Sequence, residues 1–174
     1  VGRTTGLWVL AFALFGCGDD DGDGGDGASD ESCAIGVTLS GDVNQTLSAN
    51  DDAACIVSFS YDSGIDAGLT TLSADLSIQV GIDAVTEGQT GSGFPTEMGV
   101  TLDNGPSYST SPTGCSATIT EHEREGTGTG ELGERDYRVV GTATCTEPAL
   151  REDGTAGQIL LSNISYVIPA VWSD

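Results

Sequence analysis

The chain has 174 residues, with 27 acidic side chains against five arginines and no lysine, for a formal net charge of −22. That balance excludes a nucleic-acid partner, whose phosphates would be repelled. The length is enough for one domain with a real core.

In chain order, the first feature is LWVLAFALF, residues 7–15, an unbroken apolar run of nine. A membrane-crossing helix needs about 20 such residues, whereas a signal-peptide apolar region is about this long. The run ends in Leu14-Phe15-Gly16-Cys17. This stretch resembles the lipobox of bacterial lipoproteins, with Leu14, the small Gly16 and the cysteine in place. Phe15 departs from the usual Ala or Ser. The resemblance implies that residues 1–16 are a signal peptide and that Cys17 becomes the acylated first residue of the mature chain. The lipid bilayer is then a partner through the acyl chains of Cys17. Two or more chains hold firmly, at about 0.8 kcal/mol per buried CH₂. Gly18, rather than Asp, follows the cysteine, which by the same resemblance favours the outer membrane, on its periplasmic or surface face. Cleavage removes only Arg3 among the charged residues and leaves −23.

Residues 17–32 hold the cysteine and then GDDDGDGGDGASDES, with no large apolar side chain. Such a segment cannot offset its ordering entropy, and its like charges extend it. It is expected to be a flexible tether. Asp19, Asp21, Asp23 and Asp30 also fall at calcium-loop positions 1, 3, 5 and 12. Asp26 occupies the normally apolar position 8, position 12 is not Glu, and no helical pattern flanks the run. These aspartates are weak metal candidates, and Ca²⁺ is the one cofactor to consider; otherwise none is expected.

Residues 33–174 read as one β domain. Apolar residues alternate with period two. The expected strands are 34–40, 54–61, 74–82, 97–103, 115–122, 136–146 and 157–168, separated by turn signals such as DSG, GQTGSG and DNGP. No capped amphipathic helix is visible. The expected fold is all-β, a single antiparallel sandwich or barrel-like domain. Cys33, Cys55, Cys115 and Cys145 suggest two disulfides in an exported chain. A hairpin centred on Gly130 sets Cys115 opposite Cys145, within bridging distance. Cys33–Cys55 follows by exclusion.

Candidate chemistry is sparse. Gly128-Thr129-Gly130-Glu131-Leu132-Gly133 matches G-x-G-x-x-G literally, but it lies in a glutamate-rich turn that would repel phosphate. His122, the only histidine, sits in EHERE and reads as a solvated residue, its pKa raised by acidic neighbours. Arg124, Arg135 and Arg138 flank the same turn and are expected to pair with nearby glutamates. Trp172 is expected to plug one end of the domain. No catalytic residue is assigned. The leading expectation is a non-enzymatic, lipid-anchored envelope protein with a binding or structural β domain, whose protein or glycan partner the sequence does not identify. Alternatives are a calcium-dependent adhesion module using acidic loops such as Asp51–Asp52 and Asp62–Asp66, and a cell-envelope hydrolase.

Overall fold

The structure is a computed structural model. It describes residues 33–48, 53–56, 58–60, 64–71, 75–126 and 134–172, with side chains for all of these except 53–60 and 69–71. The expected signal peptide, Cys17, the tether with Asp19, Asp21, Asp23 and Asp30, the glycine turn at 128–133 and the acidic pair Asp51–Asp52 lie outside these residues.

The described residues form twelve strands: β1 (Ala34–Gly41), β2 (Gln45–Leu47), β3 (Ala53–Ile56), β4 (Ser58–Ser60), β5 (Gly64–Thr71), β6 (Leu76–Asp83), β7 (Gly91–Leu102), β8 (Ser107–Ser109), β9 (Cys115–Arg124), β10 (Arg135–Cys145), β11 (Ala149–Arg151) and β12 (Gln158–Trp172). The expected all-β class holds, and no described residue is helical. The strands form one sheet in the order β2-β1-β12-β10-β9-β7-β6-β5-β3. The sheet then returns on itself: β4 follows β3 after one residue and pairs with β12. This last pairing is parallel, with Ser58 beside Ala170 and Ser60 beside Trp172, so the expected purely antiparallel arrangement is corrected at this seam. A curled sheet covers its own apolar face and removes most of its open edge.

Alternation explains the core. In β6, Leu76, Ile78, Val80 and Ile82 are buried while Gln79 and Asp83 face out. Met98 and Val100 of β7, Ile119 of β9, Val139 of β10 and Ile168 of β12 pack with them. Three bulges break the period of two among the described strands, one of them at Gly93 of β7, between Ser92 opposite Thr118 and Phe94 opposite Ala117. On β9, Gly141 opposes Ile119 while Val140 opposes Glu121, so Thr120 is the extra residue; its hydroxyl donates to the Val140 carbonyl over 3.1 Å. On β12, Asn163 adopts a φ of 53° beside the register shift against β1. Asn tolerates that left-handed conformation better than most residues. Buried positions consequently run Ile159 and Leu161 before the bulge, then Ile164, Tyr166, Ile168, Ala170 and Trp172 after it.

The Cys115–Cys145 bridge is present, with Ala117 opposite Ala143 and Ile119 opposite Gly141 in the expected register. Cys33 is buried at the head of β1. Cys55 lies in β3, but its side chain is outside those described, so one of the two expected bridges is seen.

Candidate functional site

Two places in the domain carry more chemistry than the fold requires. The first is on the outer face of β5, β6 and β7. Asp66, Gly81 and Glu97 stand in one row across the three strands, Gly68, Gln79 and Gly99 in the next, and Gly64 faces Asp83 in a third. Gly64, Gly81 and Gly99 therefore form a diagonal, one glycine per strand. Asp66 and Gln79 border it on one side, and Asp83 and Glu97 on the other. Glycine inside a strand weakens it and marks a place where another group approaches the backbone.

The result is a groove of about 340 Å³ on the sheet surface, completed by Tyr108, Ser109 and Glu152. Among the described residues four carboxylates line it, from Asp66, Asp83, Glu97 and Glu152, and none of the lining residues is cationic. Gln79 Nε2 donates to Asp66 Oδ1 over 3.1 Å and fixes that wall. A Cβ built on Gly81 would touch only Glu97, at 3.9 Å, so the floor here is open space rather than close packing. Diagonal neighbours on adjacent strands lie about 7–8 Å apart, so the glycine line is about 15 Å long.

The second place is one end of the rolled sheet. His122 is only 6% exposed, which corrects its expected solvated position. The Thr120 bulge is the reason: it shifts the phase of β9, so that Ile119 and His122, three residues apart, both point inward. Its Nδ1 lies 3.0 Å from the Gln89 carbonyl. A carbonyl only accepts, so Nδ1 carries the proton in the neutral ring and Nε2 is the bare nitrogen. The ring meets Tyr137 edge-on at 5.1 Å and Trp172 at 5.8 Å. Burial pushes the His122 pKa down, against the opposing pull of the Gln89 carbonyl and the Glu87 charge; the expected rise is thus reversed. Trp172 is buried as the expected plug.

Beside this cluster, Glu87 accepts from Arg135 Nε at 2.6 Å, from Arg135 Nη2 at 2.9 Å and from the Tyr137 hydroxyl at 2.5 Å. Those donors, Arg135 first, hold the Glu87 carboxyl down at about 2. Arg138 pairs with Glu121 at 2.6 Å on the exposed face, as expected for a turn-flanking arginine, and Arg135 reaches Glu87 in the β6–β7 connection.

Among the described residues no group of three or more His, Cys, Asp or Glu side chains is arranged to hold a metal ion. Asp66 belongs to the groove wall and not to a metal cluster. Among the described residues, neither a nucleophile nor a carboxylate bonds to the ring nitrogens of His122. The glycine diagonal is the feature that sequence reading passes over: Gly64 and Gly68 disguise β5 as a loop, although Ile65, Ala67 and Leu69 alternate through it. The chain matches no protein-family model, no curated protein and no solved structure.

Proposed function

We propose that this protein is an envelope lipoprotein, held to the membrane through acyl chains on Cys17, whose β domain is a non-enzymatic binding module for an extended cationic peptide. The observation that carries the binding reading is the glycine diagonal walled by carboxylates. Its length, about 15 Å, suits four or five residues of extended chain at about 3.3–3.6 Å each. An exposed ion pair contributes about 0–1 kcal/mol. Four of them give at most about 4 kcal/mol, which is about millimolar affinity. A lone cation is therefore held poorly, and a ligand presenting several charges along a thin backbone is favoured. The chain's net negative charge argues against adsorption to anionic lipid and favours a cationic partner.

Hexalysine is the direct probe. Gly81→Val fills the floor where a side chain has room, so it should weaken hexalysine binding tenfold or more while leaving the far-ultraviolet circular dichroism unchanged. Equal affinity for the variant and the parent sinks the groove reading. Anchoring is tested separately: Cys17→Ser should move the protein from the membrane fraction to the soluble one, and retention in the membrane removes the lipoprotein reading.

The same proposal includes Cys33–Cys55 as the second bridge. β1 and β4 run along the same edge of β12, with Ala34 beside Val167 and Ser58 beside Ala170. Cys33 directly precedes β1 and Cys55 lies three residues before β4, which supports their proximity. Peptide mapping without reductant should recover residues 33 and 55 in one linked fragment; separate fragments contradict it.

A further inference from the structure

The connection between β6 and β7 lies over the end of the domain where His122 is buried. Its middle is a self-contained turn. The Gln89 amide donates to the Thr86 carbonyl over 3.0 Å, and the Thr86 amide and hydroxyl both donate to Gln89 Oε1, at 2.9 and 3.0 Å. The turn is fixed to the rest of the molecule at three points: the buried Val85 side chain, Glu87 on Arg135 and Tyr137, and the Gln89 carbonyl on His122. At its head Ala84 holds a φ of 59°. A residue with a Cβ enters that left-handed region at a cost of about 1–2 kcal/mol, so the docked turn keeps its entry strained.

We propose that the Thr86–Gln89 turn is an acid-released cap, held closed by the neutral form of His122. A proton arriving at His122 goes to Nε2, because Nδ1 already carries one. It creates a cation and a second N–H donor inside the core. Among the described residues, Nε2 has no hydrogen-bond partner. Trp172 offers only an N–H and its ring face, and Tyr137 offers a ring edge while its hydroxyl is committed to Glu87. Glu87 is the anion acting on the ring from the connection, and its oxygens are already engaged by Arg135 and Tyr137. From β10 the opposing residue is the apolar Val139, with the Arg135 cation farther along. On β9, Glu121, Glu123 and Arg124 face out, and Glu125 follows the strand, its amide bonded to the Asp136 carbonyl. Burial outweighs the Gln89 carbonyl's preference for the charged ring, so the cation gains water only if the turn over it lifts, and that motion takes away the Gln89 tie.

His122 is the only histidine in the chain, so one set of ring resonances reports its protonation without overlap. The full chain, isotope-labelled in detergent micelles, is titrated from pH 7.5 to 4.5. His122 should take its proton below 6.5. As the pH falls from 6.5 to the midpoint of that protonation, the amides of residues 85–90 should lose exchange protection by up to about tenfold per pH unit and then level off, while those of β9 and β10 keep theirs. Protonation of His122 at or above 6.5, or a protonation that leaves residues 85–90 protected, overturns the proposal. His122→Gln supplies a side-chain N–H for Gln89 that does not titrate, and its residues 85–90 should stay protected throughout. The same acid loss in that variant also overturns it.

Discussion

Replacing Glu87 by Gln keeps the shape of the acceptor and removes its charge, so it isolates the ionic part of the tie to Arg135 and Tyr137. The carboxyl is held at about 2 against an ordinary 4.5. Taken whole, that difference is worth about 3 kcal/mol. One third of the Glu87 side chain is exposed, and solvent screening reduces the figure to about 1–2 kcal/mol. The folded-state value is depressed, so the stabilisation is complete above 4.5 and is lost as the pH falls toward about 2. Many other carboxylates titrate over the same range, but they are common to both proteins and cancel in the difference. Urea unfolding followed by circular dichroism at pH 7, 5, 4, 3 and 2 measures it. Glu87→Gln should be less stable by about 1–2 kcal/mol at pH 7, and the gap should close to under about 0.5 kcal/mol at pH 2. A gap that is constant with pH, or none at pH 7, refutes the electrostatic account of this contact.

Other perturbations follow the same logic. The Cys115–Cys145 bridge closes a separation of 30 residues. Cys115→Ser with Cys145→Ser should cost about 3–4 kcal/mol in unfolding free energy, and a loss under about 1 kcal/mol contradicts the constraint. A Cβ on Gly141 would collide with the Tyr166 hydroxyl and the Thr118 carbonyl oxygen. Gly141→Ala should therefore destabilise by about 2–3 kcal/mol. Gly81→Ala meets nothing closer than 3.9 Å, and its melting temperature should stay level or rise, corresponding to about 0–1 kcal/mol. Equal effects at these two glycines would show that the floor of the groove is not open.

The parts of the fold legible from sequence are those where one strand keeps its alternation. Leu76 to Ile82 announces β6, and the hairpin register that sets Cys115 against Cys145 follows from the spacing of two such runs around a glycine turn. Bulges defeat the same reasoning. Nothing local in EHERE says that Thr120 is the extra residue of β9, and without that shift His122 belongs on the wet face with Glu121 and Glu123. The burial of Trp172 was easier to foresee than its route there, which passes through the phase change at Asn163. The groove was hidden for a related reason. Gly64 and Gly68 give β5 the look of a turn region in the sequence. Only the pairing of β5 with β6 and β6 with β7 aligns Gly64, Gly81 and Gly99 into one line. The closing pair of β4 with β12 joins segments more than a hundred residues apart, and no local pattern encodes it.

The central claim is that cationic ligands are taken up on that glycine line and not by the acidic surface at large. Titrating the isotope-labelled protein with hexalysine at physiological salt tests it residue by residue. The account predicts saturable amide shifts concentrated at Asp66, Gln79, Gly81, Asp83, Glu97 and Gly99. Shifts spread evenly over the acidic residues of the domain, or confined to residues 18–32, would contradict it.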